Sequence, residues 1–143
     1  MIKTSVLKEK LKNGFYSDLL LDIYADESKI AYQTDRYIKA IERYESLYGE
    51  SEIAIFSAPG RSEIGGNHTD HQHGEILAAS INLDAIAIVK KTKDNMVRVV
   101  SDHYPEIVID LTDVSLKEEE KGSTIALIKG VLAGAKKHSY CIG

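Results

Sequence analysis

The sequence predicts an α+β fold, a mixed β-sheet with helices packed against it. Residues 34–49 carry apolar side chains at helical spacing, and several short β-branched runs alternate with turn residues further along. No internal repeat, low-complexity tract or Pro/Gly-rich linker divides the chain, so residues 1–143 are expected to form one domain.

Taken in order, Val6, Leu7 and Leu11 predict a short amphipathic helix. A second follows over residues 17–25, with Ser17 as its N-cap. The clearest helix is residues 34–49: Tyr37, Ile38, Ile41, Tyr44 and Tyr48 share one face, Thr34 or Asp35 caps the start and Gly49 ends it. Its tyrosine stripe is core packing rather than a ligand cage, since each ring buries a large apolar area and needs only one partner for its hydroxyl.

Residues 52–57 read as a strand, and residues 75–80 as strand or turn. Residues 84–91, with β-branched Ile86, Ile88 and Val89, predict a buried strand. Lys93, Asp94 and Asn95 make the turn into the strand at residues 96–101, a hairpin follows, and Pro105 opens a further strand. The charged run LKEEEKG is a solvated connection. The last helix, residues 123–138, has one apolar stripe of Ile125, Ile128, Leu132 and Ala135 and a second of Leu127 and Val131. A helix apolar on two sides needs cover on both.

Composition narrows the function classes. With 43% hydrophobic and 28% charged residues, the 143-residue chain has the make-up of an ordinary globular domain. A formal charge of −4 lacks the basic face that recruits nucleic-acid phosphates. The apolar runs are too short to span a bilayer, and the charged N-terminus is not a signal core, so no membrane is expected and a cytoplasmic location is. The single Cys141 fits a reducing compartment.

Residues 58–74, APGRSEIGGNHTDHQHG, concentrate the chemistry. Arg61 supplies a permanent cation and Asp70 a carboxylate acceptor, while Asn67, His68, Thr69, His71, Gln72 and His73 add neutral donors and acceptors. Gly65, Gly66 and Gly74 allow backbone angles closed to other residues, so the segment reads as a shaped loop rather than a helix or strand.

This segment resembles the sugar-binding signature of galactokinases, within the larger superfamily of galactokinase, homoserine, mevalonate and phosphomevalonate kinases. The family pattern is approximately P-G-R-x-N-x-I-G-E-H-x-D-Y-x-x-G-x-V-L-P-x-A-I. Pro59, Gly60, Arg61, Gly66, His68, Asp70, Gly74, Leu77 and Ile81 fall on it without a gap, and Ile76 is a near match to the valine. Glu63, Gly65, Asn67, His71 and Ala78 depart from it. Asn67 stands where the family has an acid. It bonds a hydroxyl through either end of its amide but not as a charged acceptor, which bears on hydroxyl preference and affinity.

The resemblance implies the N-terminal domain of that superfamily, a ribosomal protein S5 domain 2-like fold. It also implies ATP-dependent phosphorylation of galactose, or a related hexose, at the anomeric hydroxyl. Arg61 takes the catalytic role, lowering the proton affinity of an aspartate base and countering phosphate charge. Asn67, His68 and Asp70 bind sugar hydroxyls, and Mg2+ accompanies ATP. Family members carry a Gly/Ser-rich phosphate loop and the aspartate base in later sequence, so the chain reads as an N-terminal fragment, inactive alone and prone to self-association through its last helix. Thr124 and Leu127 stand where family members usually have aromatics near the nucleotide base, so no cofactor-binding residue carries over.

Other readings compete. Arg61 pairing with Glu63, or Asp70 capping a turn, would be structural. His71 and His73 match no family ligand and read as solvent-exposed loop histidines. A noncatalytic galactose-sensing relative would keep the sugar residues without turnover. A metal-dependent hydrolase using His68, Asp70, His71 and His73 is disfavoured by their order, which fits neither an H-x-H-x-D-H run nor an H-E-x-x-H helix; no metal ligand is therefore assigned.

Overall fold

The structure is a computed structural model that describes residues 1–66 and 73–142. Its helices and antiparallel sheets bear out the α+β class. Every strand pairing among the described residues is antiparallel, so the parallel pair that a mixed sheet requires does not occur among them. The chain divides into two compact units, Met1–Lys90 and Lys91–Gly143.

In the first unit a short strand β1 (Ile2–Lys3) leads into helix α1 (Thr4–Lys12), followed by α2 (Ser17–Tyr24) and α3 (Ile30–Tyr48). Strands β2 (Glu52–Gly65) and β3 (Leu77–Val89) form a long antiparallel ladder, with β1 on the outer side of β2. Leu7, Leu11, Leu20, Tyr24, Tyr37, Ile41, Tyr44 and Ile53 form the core, and Ile55, Ile86 and Ile88 of the sheet pack against it.

Two helix starts differ from expectation. Ser17 is the first residue of α2 rather than its cap, and Tyr16 precedes it without a side-chain cap bond. Helix α3 begins at Ile30, ahead of Thr34 and Asp35, because a single 3-10 turn at Glu27–Lys29 runs straight into it. Asp26 caps that turn by accepting from the Ser28 amide, and Ile30 packs against the core. Asp35 instead pairs with Lys39 one turn on. Of the expected stripe, Tyr37, Ile41 and Tyr44 are buried and Ile38 half-buried, while Tyr48, the last residue of the helix, is exposed and leans on the Tyr44 ring. Gly49 closes the helix at φ 71°.

Strand β2 also runs past residue 57. Its ladder with β3 carries it through Pro59, Arg61 and Glu63 to Gly65, so the first half of the expected loop is strand. A cross-strand partner overrode the local turn signals of Pro59 and Gly60. Nor is β3 buried on both sides: Ile86 and Ile88 meet the helices, whereas Ala85, Ala87 and Val89 face out. The alternation follows from one covered face.

The second unit is a hairpin of β4 (Met96–Val99) and β5 (Ile107–Asp110), then a 3-10 turn at Glu118–Glu120 and helix α4 (Thr124–Lys137). Ser123 caps α4, its hydroxyl accepting from the Ala126 amide at 3.2 Å. Ile109 and Leu111 are buried. The run expected to be merely solvated has a structural role, since Glu120 accepts the buried Lys129 ammonium on both carboxylate oxygens at 2.7 and 2.8 Å. Of the two stripes on α4, that of Ile125, Ile128, Leu132 and Ala135 is half-buried, but Leu127 and Val131 are 69% and 68% exposed.

Candidate functional site

The sequence placed the chemistry in residues 58–74, and the ladder shows how its two ends are built. Pro59 pairs with Asp84 and Arg61 with Ser80. Opposite the single residue Gly60, therefore, β3 spends three residues, Ile81, Asn82 and Leu83, in a bulge. Bulges of this kind re-aim side chains. Gly60 suits the spot because a Cβ there would sit 3.2 Å from both the Ile81 side chain and the Leu83 carbonyl.

A second shift precedes Gly65, which pairs with Leu77. Gly66 then turns at φ 106°, where an added Cβ would lie 2.5 Å from the Glu75 carbonyl and 2.8 Å from Ile76 Cα. No side chain fits there, so the two arms approach closely only because residue 66 is glycine.

Arg61 is exposed on β2, just beyond the bulge. Asn67, His68 and Asp70, the expected sugar ligands, lie outside the described residues, as do Thr69, His71 and Gln72. His73 is exposed and left-handed at φ 63°, in keeping with a loop histidine.

Beneath the bulge lies a polar network that sequence reasoning missed. The Asp84 side chain, 3% exposed, accepts from Arg36 Nη1 on Oδ1 at 2.5 Å. Its Oδ2 accepts from Tyr24 Oη at 2.8 Å and Ser57 Oγ at 2.6 Å. Arg36 Nη2 also donates to the Asp84 carbonyl at 2.9 Å. The single Tyr24 hydroxyl proton goes to Asp84, so the Tyr37 hydroxyl, 3.0 Å away, donates to Tyr24. Asn82 Nδ2, within the bulge, donates to the Tyr24 carbonyl at 3.2 Å.

Burial pushes the Asp84 carboxyl up, but bonds from Ser57, Arg36 and Tyr24 outweigh it and hold the carboxyl below its ordinary value. Burial, and then the bonds to Tyr37 and Asp84, raise the Tyr24 phenol well above its usual range. Asp84 is thus a fixed anion with its acceptor sites in use, a brace rather than a proton acceptor. A lone aspartate in an apolar strand run, twinned with an arginine on the apolar side of a helix, was the available signal.

A cavity of about 500 Å³ opens beside this network, lined by Tyr24, Ser57, Pro59, Ser80, Asn82 and Asp84 with apolar neighbours that include Ile55 and Ile81. Ser80 is also the ladder partner of Arg61. Polar groups on an apolar wall make a surface suited to a small polar ligand. Among the described residues no group of three His, Cys, Asp or Glu is placed to hold a metal ion, and no helix is long and apolar enough to cross a membrane.

The family model of the galactokinase galactose-binding signature matches residues 42–91, from the second half of α3 through β2 and β3. Galactokinase of Clostridium tetani is 32% identical over 98 residues, covering 68% of this chain and 24% of its own length. That of Enterococcus faecalis is 30% identical over 93 residues, 64% of this chain and 24% of its own, and that of Lactococcus lactis subsp. cremoris 29% over 103 residues, 69% and 25%. The chain thus spans about a quarter of the length of the curated relatives it matches. No solved structure matches. The galactokinase galactose-binding signature thus lies along the β2–β3 ladder, and the chain is similar to galactokinases over about two thirds of its residues.

Proposed function

We propose that the protein carrying this chain is a galactokinase, transferring the γ-phosphoryl group of ATP to the anomeric hydroxyl of galactose to give galactose 1-phosphate. The observation that carries this reading is the ungapped run from Pro59 to Ile81, with Arg61 exposed on β2 just beyond the bulge. In the transfer, the anomeric oxygen attacks the γ-phosphorus, its proton leaves to a base and ADP departs. The chain's share is positioning and charge. Arg61 lowers the proton affinity of the base and offsets charge on the transferring group; Asp70 accepts from two sugar hydroxyls, and Asn67 and His68 bond others. The base is assigned to no residue of this chain.

Magnesium is proposed to arrive on the nucleotide phosphates, which supply much of its coordination in such sites. A cytoplasmic setting accords with the lone, exposed Cys141. Coupled ADP release by the complete protein, measured with a panel of hexoses and with mevalonate and homoserine, tests the reading. Turnover of galactose is the expected result; turnover of an acid or amino acid with no hexose accepted would overturn it. In the same assay Asp70→Ala should raise the apparent sugar constant about ten-fold or more, since a charged acceptor contributes about 1.5 to 3 kcal/mol, and leave ATP affinity unchanged. An unaltered sugar constant would reassign Asp70 to the turn.

A further inference from the structure

Arg61 works only if it is presented on one side of the ladder, and a β-ladder protects its own register poorly where glycine and a bulge interrupt it. A slip of one residue in β3 would turn Ser80, the residue opposite Arg61, to the other face and move the bulge beside it. We infer that Asp84 is a positioning residue for Arg61, holding β3 in the register from which the bulge is launched.

Three elements grip this one residue. Tyr24 of α2, Arg36 of α3 and Ser57 of β2 all donate to its carboxylate, and Arg36 also holds its main-chain carbonyl. Asp84 is itself the ladder partner of Pro59, the last pair before the bulge. On the far side of Gly60 the ladder resumes at Arg61 and Ser80. Between them, Asn82 is tied to the Tyr24 carbonyl, and Ile81 and Leu83 close over Gly60. The bulge is therefore clamped at its base and its middle, and the first side chain beyond it on β2 is the exposed Arg61. A core ion pair that only added stability would have no need to bond both the side chain and the main chain of the residue at which register is set.

The activity readout rests on the kinase reading above; a second readout does not. In the complete protein, Asp84→Asn should lower kcat for galactose about ten-fold or more while the KM for ATP stays within about two-fold, because a misplaced catalytic group costs rate rather than remote binding. Ser57→Ala removes one donor and leaves the Arg36 pair, so it should show the same pattern more weakly and serves if Asp84→Asn does not fold. Glu45→Gln, which breaks the Lys8 pair between α1 and α3, should lower the melting temperature and leave kcat unchanged. Amide exchange is the independent arm: residues 79–83 should exchange faster in Asp84→Asn while α3 stays protected. A variant that melts earlier yet keeps kcat and exchange at residues 79–83 would show the network to be structural only. If the parent protein phosphorylates no hexose, the function reading fails and exchange alone decides the register.

Discussion

The two units close their interiors in different ways. In Met1–Lys90, a helix with a single apolar stripe, α3, meets a single sheet face, and eight apolar side chains pack into one cluster. In Lys91–Gly143, Ile109 and Leu111 are the buried apolar side chains among the described residues, and the third buried residue is a lysine. Each unit ties its helix down with a buried charge, Arg36 to Asp84 in one and Lys129 to Glu120 in the other. The first tie serves the ladder that carries the signature; the second joins a helix to its own leading turn. Helix α3 buries most of its stripe, whereas α4 leaves Leu127 and Val131 facing outward; on the ladder of the first unit Phe56, Ile64, Leu77 and Leu83 are exposed as well.

If that contrast is right, deletions in the first unit should cost most. Ile41, fully enclosed, should lose about 4 kcal/mol of unfolding free energy on replacement by alanine, from lost transfer and the cavity left behind. Urea titration checks it, and a loss under about 1 kcal/mol would mean the cluster is loosely packed. Asp84→Ala should cost about 3 kcal/mol, the low end for breaking a buried pair because Arg36 keeps some contact with water. This loss should depend on pH. The folded carboxyl is held below its ordinary value of 3.8, so its contribution is present above that value and lost as pH falls through the lower, folded one. The gap in urea midpoint between parent and Asp84→Asn should therefore narrow from pH 7 to pH 3, and a constant gap would deny the carboxylate its role.

Gly66→Ala should cost about 2 kcal/mol, since a methyl group there adds a strained positive φ to a main-chain clash. Its thermal shift should resemble that of Asp84→Ala in kind but be smaller, and a neutral result would separate the two arms of the signature. Smallest of all, Leu127→Gln on the open stripe of α4 should change stability by under about 0.5 kcal/mol. It should instead reduce hydrophobic-dye binding and self-association of the 143-residue chain, seen by sedimentation. A large destabilisation would show that the stripe is covered and that the two units are more alike than they look.

Much of this was legible locally. The helices at Leu7 and Tyr37, the strand after Pro105 and the two-sided last helix follow from periodicity, because one buried face selects side chains every 3.6 or every two residues. The cation at Arg61 and the glycine at position 66 were likewise readable from residue type. What periodicity cannot carry is pairing. Gly60 and Pro59 signal a turn, yet they lie in a strand because β3 runs alongside. Ser17 and Thr34 are good caps by chemistry, but the chain entering each helix took another path.

The sequence by itself determined the α+β class, the family signature and which side chains carry charge there, since these depend on residue identity and near neighbours. Only the tertiary structure decided that Tyr24, Arg36, Ser57 and Asp84, as many as 60 residues apart, meet beneath the bulge that presents Arg61. The reason is physical: a carboxylate enters an apolar interior only where several donors converge on it, and that convergence is a property of the packed elements, written in no single stretch of chain.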